Sequence, residues 1–310
     1  MLVDLGPDFR RRCEAMLKIA GPDSVGFLGR RRDLRLAGGT EVTGYYDYTS
    51  GAELKYVDWA RCARHDELVV KEFRGSVDYA TYFVVDAGPT MSLAGGEKRN
   101  EALRLAAALG YLSLARTDRV AAILFANDHF AWFPPRRGRP AIPAWLSFMA
   151  SGGMEAGSRL AADATGRRRA GFRLSRREDR GGLAAAVRQL VTRVGAGLTV
   201  IVSDFLAATD VRRPLDLLRR AFFQPVLLQV VAEDDVRPAY QGLTTLYDPA
   251  VHSRVRRRIR EEDVLEYRDI VATHIRELKG YCYRYGIGFA QFNAQAELLT
   301  NLRRALALGR

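Results

Sequence analysis

The sequence predicts an α/β protein built on a doubly wound, mostly parallel sheet, and three observations carry that expectation. Short apolar runs of strand length recur at 79–86, 120–125, 198–205 and 226–231, which is how strands buried on both faces read. Segments with helical spacing lie between them, so strand and helix alternate as parallel crossovers require. Two of the runs end in a carboxylate, at Asp86 and Asp204, and open α/β sheets bind ligands just beyond the carboxyl ends of their strands.

Each element has its own signal. Residues 7–20 read as a short helix, with Pro7 near its start and Gly21 after it. Residues 22–50 are rich in Gly, Arg and polar side chains and read as loop or short strands. HDELVVKEFR at 65–74 alternates as a strand does, and the strand 79–86 follows. From Lys98 to Arg116, Leu103, Leu105, Ala106, Leu109, Leu112 and Leu114 mark a largely buried helix. VAAILF at 120–125 is the next strand, and 129–133 continues it as an antiparallel edge hairpin. PPRRGRP at 134–140 reads as a loop, 141–152 as a short helix, and 155–178 as polar, basic and unpatterned. Helices at 182–194 and 215–223 alternate with the strands 198–205 and 226–231. Residues 242–247 read as an edge strand, 261–285 as a long helix, 287–292 as the last strand and 294–308 as the last helix.

Composition narrows the class. A chain of 310 residues can bury one large α/β core or two smaller ones. Its 48% hydrophobic and 27% charged content is that of ordinary globular proteins. No apolar run reaches the roughly 18 residues of a membrane span, and the charged N-terminus has no signal-peptide core, so a cytoplasmic location is expected. Cys13, Cys62 and Cys282 are scattered and show no metal or disulfide spacing, which reads as buried thiols. Only five residues are lysine, so 43 of the 48 basic residues are arginine, and net charge is +12. That balance suits either an acidic partner (nucleic acid, anionic lipid or an acidic protein face) or a solvated basic surface.

The strand ends hold the candidate chemistry. Asp86, Thr90 and Asp204, brought together across a sheet crevice, could hold a hard divalent cation such as Mg²⁺. The same acids could instead cap helices or bond loop amides. Gly95-Gly96-Glu97-Lys98 joins a loop to a helix but lacks phosphate-loop spacing. His65, His129, His252 and His274 pair with no catalytic partner in sequence, and read as surface or core residues. Glu233, Asp234 and Asp235 after a strand read as a solvated turn or as further acids on the same edge. A metal-dependent hydrolase would need a general base or a second metal, and no spacing places one.

Two segments together resemble a known family. The first runs Tyr48-Thr49-Ser50-Gly51-Ala52-Glu53-Leu54-Lys55-Tyr56-Val57-Asp58-Trp59, then Ala63-Arg64 and Leu68-Val69-Val70-Lys71-Glu72-Phe73. The second is the strand ending in Asp86, followed by Thr90-Met91 and later Lys98. Together they are similar to the domain of unknown function 58 family, whose pattern is roughly Y-x-x-G-D-D-x-R-x-I-D-W, then A-R, L-x-V-K-x-F and D-x-S-x-S-M. The resemblance is close over about residues 25–130 and looser through Ser203-Asp204-Phe205.

The resemblance implies a fold like the von Willebrand factor type A domain, at 76–310, with residues 1–75 as an extension packed on it. It also implies a metal-ion-dependent adhesion site at the carboxyl edge of the sheet. A role beside a MoxR-type AAA+ ATPase and its client proteins follows, non-enzymatic and of adaptor type. The implied metal motif is damaged. Asp86 and Asp204 match, Thr90 keeps a hydroxyl, but Gly88 replaces a serine and Gly181 a threonine, so any Mg²⁺ site is weak. Asp58 and Trp59 match the upstream motif, although Ala52-Glu53 and Lys55 depart from it. Asp58 and Trp59 form either a partner surface or an anchor, with Trp59 buried on the core and Asp58 paired with Arg61 or Arg64. Asp58, Trp59, Asp86 and Asp204 are the expected partner-binding residues. Nucleic-acid binding by the arginine-rich surface is the alternative.

Overall fold

The computed structural model describes residues 5–6, 8–19, 41–48, 57–65, 68–74, 80–93, 96–127, 129–152, 182–206, 210–248 and 253–307. Tyr79, Gly95, Gly181, His252, the motif residues 49–56 and the segment 155–178 lie outside them.

The chain opens with helix α1 (Phe9–Ile19), whose Phe9, Cys13 and Met16 are spaced to face one side and are buried there. Strand β1 (Glu41–Asp47) pairs antiparallel with β2 (Val69–Arg74), and helix α2 (Trp59–His65) precedes β2. The segment expected to be strand from 65 therefore begins as helix. Asp58 caps α2, its carboxylate accepting the Arg61 N–H at 3.1 Å, which holds the turn helical through His65.

Six strands form the central sheet: β3 (Ala80–Asp86), β4 (Arg119–Ala126), β5 (His129–Arg137), β6 (Leu198–Ser203), β7 (Gln224–Val231) and, after two outlying strands, β10 (Gly288–Asn293). Their spatial order is β10-β7-β6-β3-β4-β5, all parallel except the edge strand β5. The order reverses between β3 and β6, so a crevice opens there. This is the doubly wound, mostly parallel sheet that the sequence predicts.

Alternation within each strand feeds two cores. Phe83, Val85, Val200, Val202 and Leu228 face helices α3 (Glu97–Ala115), α4 (Ile142–Ala150) and α9 (Leu298–Ala307), with α1 joining the same core. Tyr82, Val84, Ile201 and Leu227 face α5 (Gly182–Arg193), α6 (Arg212–Arg220) and the long helix α8 (Glu261–Arg284). Helix α3 packs closely on α4 because Gly110 leaves room for the Trp145 ring, whose Nε1–H donates to the Ala107 carbonyl at 3.0 Å.

Two expectations are corrected. Strand β5 runs on through Pro134 and Pro135, where a loop was expected. Its register with β4 jumps between Val120 and Ala122, opposite these prolines. A bulge on an edge strand asks for no N–H there. The strand expected at the sheet edge from 242 is instead β8 (Gly242–Asp248). It pairs with β9 (Ser253–Ile259) as a separate two-stranded ribbon. The basic run SRVRRRI in β9 carries no apolar alternation, so no strand is legible there in isolation.

Candidate functional site

The carboxyl ends of β3, β6 and β7 converge on one buried ion-pair cluster. Asp86 ends β3, and both its oxygens are engaged. Its Oδ2 accepts the Ser203 hydroxyl at 2.7 Å, and its Oδ1 accepts the Gly88 N–H at 2.8 Å. A Cβ on Gly88 would stand 2.9 Å from that Oδ1. Glycine at this position therefore allows the close approach, beyond merely lacking an oxygen ligand. Burial raises the Asp86 carboxyl to about 6, against the lowering effect of the bonds from Ser203 and Gly88.

Asp204 follows β6 and is 1% exposed. The Lys98 ammonium, at the start of α3, donates to Asp204 Oδ2 at 2.9 Å. The same nitrogen lies 2.9 and 3.1 Å from the two oxygens of Asp235. Asp235 belongs to the short helix α7 (Glu233–Val236) after β7, and its Oδ2 also accepts the Ala232 N–H at 2.9 Å. Lys98 is itself 1% exposed. Burial pulls its pKa down, but the Asp204 charge and the bonds to both carboxylates more than reverse this, so the ammonium is held charged.

Further bonds fix the frame. Asp204 Oδ1 accepts the Leu206 N–H at 3.1 Å, and the Gln229 side-chain amide, fully buried on β7, donates to the Asp204 carbonyl at 2.8 Å. Phe205 adopts a left-handed φ of 54° and is fully buried. A bulky residue there is strained, and it persists only where its surroundings fix it. His274 on α8 supplies one clamp, with Nε2 2.8 Å from the Phe205 carbonyl.

The residues singled out from sequence fare differently. Asp86 and Asp204 do sit on one edge, and both are buried with their carboxylates bonded within the chain. Thr90, half-buried, lies in a 3-10 turn (Thr90–Ser92) after β3. Trp59, with burial among its expected roles, is 60% exposed at the start of α2, and Asp58 serves as the cap. Sequence reasoning missed the pairing of Lys98 with Asp235, which the solvated-turn reading left in water. At Lys98 itself the compact ammonium reaches both carboxylates from one nitrogen, a geometry a planar guanidinium does not share.

As donors for Mg²⁺ the set does not fit. Mg²⁺ requires near-octahedral oxygen coordination at about 2.0–2.1 Å. Here Asp86 spends both oxygens on protein donors, and the Asp204 and Asp235 carboxylates already share a cation. Among the described residues no group of three or more His, Cys, Asp or Glu side chains is placed to hold a metal.

The sequence matches the family described as "Protein of unknown function DUF58" over residues 45–274. The chain belongs to this family. No curated protein matches the sequence. Among solved structures, an aerotolerance-related membrane protein from Bacteroides fragilis, carrying multiple mutations to serine, is similar at 13% identity. That match covers 74% of this chain and 98% of the other, with a TM-score of 0.37. The conserved hypothetical protein BatB from Bacteroides thetaiotaomicron is similar at 12% identity, over 73% and 98% of the two chains, with a TM-score of 0.38. Among the described residues no helix is long and apolar enough to cross a membrane.

Proposed function

We propose that this DUF58 protein is a non-enzymatic, cytoplasmic interaction protein that acts as adaptor between a MoxR-type AAA+ ATPase and a client. The observation that carries the reading is Trp59. The tryptophan of the family motif stands 60% exposed on a capped helix, and a large aromatic kept in water at a fixed position is the usual anchor of a protein interface. The carboxyl-edge loops held by Asp86 and Asp204 form the second part of the proposed surface. These acids act by setting loop positions. Catalysis has little support, because the Ser203 hydroxyl is bonded to Asp86 and His274 is directed to a backbone carbonyl. Co-purification with a MoxR-type ATPase encoded beside it tests the proposal. Trp59→Ala should weaken capture at least about tenfold with the fold intact, a loss on the scale of an interface hot spot. Asp86→Ala should weaken it through the loop. Absence of co-purification, or full capture by Trp59→Ala, Asp86→Ala and Asp204→Ala alike, refutes it.

The second reading, nucleic-acid binding, is favoured by the β8–β9 ribbon. Arg254, Arg256 and Arg258 alternate along β9 and so share one face, opposite Tyr247, Thr245 and Leu243. That face is exposed, and a two-stranded ribbon is one of the shapes that enter a DNA major groove. Filter binding at two salt concentrations decides it. Replacing the three arginines by alanine should lower the salt slope by about 2–3, and no retention of any nucleic acid at low salt removes the idea.

A further inference from the structure

We infer that Lys98 is the resident cation of the carboxyl edge, standing in for a divalent metal and making recognition by this face metal-independent. The inference rests on the proposed role of the edge only in its last clause.

Three observations support it. The ammonium lies at the meeting point of β6 and β7, within 2.9 Å of oxygens from Asp204 and Asp235, with side-chain exposures of 1%, 1% and 17%. Each donor is otherwise occupied: Asp204 Oδ1 by Leu206 N–H, Asp235 Oδ2 by Ala232 N–H, and Asp86 by Ser203 and Gly88. A divalent ion would have to displace the lysine and share oxygens that already accept these bonds. Finally, Lys98 is the second residue of α3. The positive end of a helix dipole disfavours a cation there, so the two carboxylates hold the ammonium against its own helix.

The consequence is a closed site. The local charge is balanced from within the chain, and the loops after β3, β6 and β7 are tied together by a tethered group that cannot dissociate. Divalent-ion concentration then has no purchase on their arrangement. Gly88 agrees with this, since the side chain that would supply another ligand is the one the Asp86 carboxylate leaves no room for.

The test is metal titration of the wild-type protein alone, by calorimetry and thermal unfolding with Mg²⁺, Mn²⁺ and chelator. The expected result is no saturable heat that depends on Asp204, and a midpoint unmoved by metal or chelator. A bound ion at a hundredfold over its Kd would raise the midpoint by several degrees, on the order of 5 °C. Lys98→Ala, which leaves Asp204 and Asp235 facing each other, should be destabilised in chelator and recover with Mn²⁺. Wild-type binding of one Mn²⁺ that is lost in Asp204→Asn overturns the inference. Should Lys98→Ala fail to fold, the wild-type titration still decides. Because no partner is present, failure here leaves the adaptor reading standing. A partner capture abolished by chelator would overturn the metal-independence and keep the adaptor.

Discussion

Glu101 offers a direct measurement of how the helix α3 face is buried. The side chain is 2% exposed, and its Oε1 accepts the Asn301 side-chain N–H from α9 at 2.8 Å. Burial raises its pKa from 4.5 to about 7, although Asn301 and the Arg104 charge both oppose the rise. The folded protein therefore keeps a proton that the unfolded chain releases near 4.5. Stability from this group is full below pH 4.5 and is lost as pH rises through about 7, where the folded state must ionise a buried acid. The gap between 4.5 and about 7 corresponds to about 3 kcal/mol. Glu101→Gln removes the titration and keeps an acceptor for Asn301. It also adds an amide that can donate to Asn301 Oδ1, which is buried and lacks a hydrogen-bond partner among the described residues. Urea unfolding followed by circular dichroism should show the variant and wild type converging at about pH 4.5. The variant should be more stable by about 2–3 kcal/mol at about pH 8.5. A difference that does not change between those two pH values would refute the burial argument for Glu101.

Other outcomes follow from the same packing. Lys98→Met should destabilise the fold by about 3–5 kcal/mol, because two carboxylates lose their buried cation; chemical denaturation measures it. Gly110→Ala sets a helix-propensity gain of about 0.5–1 kcal/mol against a methyl placed inside the Trp145 ring. Overpacking of about 1–3 kcal/mol should win, and a lower unfolding midpoint checks it. Trp59→Ala, at an exposed site, should change stability by no more than about 0.5 kcal/mol, so any loss of partner capture would reflect the surface and not the fold.

The strands and helices of the core were legible because their signals are local. The run ending in Asp86 needs only its own residues to read as a buried strand, and the leucines of α3 need only their own spacing. The errors fell where a neighbour overrides the local pattern. Pro134 and Pro135 stay in a strand because they form a bulge of β5 opposite Ala121 of β4. The arginine-rich β9 becomes a strand because β8 pairs with it. Trp59 is 60% exposed, a degree of burial that its own segment does not fix.

The site divides along the same line. Sequence by itself determined the α/β class and the placing of Asp86 and Asp204 at strand ends, since each is a property of a segment. Only the tertiary structure decided that Lys98 lies between Asp204 and Asp235. The physical reason is distance: the cluster joins residues more than a hundred positions apart, and the ammonium is drawn there by two carboxylates, one buried and one half-buried, that become neighbours only when β6 and β7 pair.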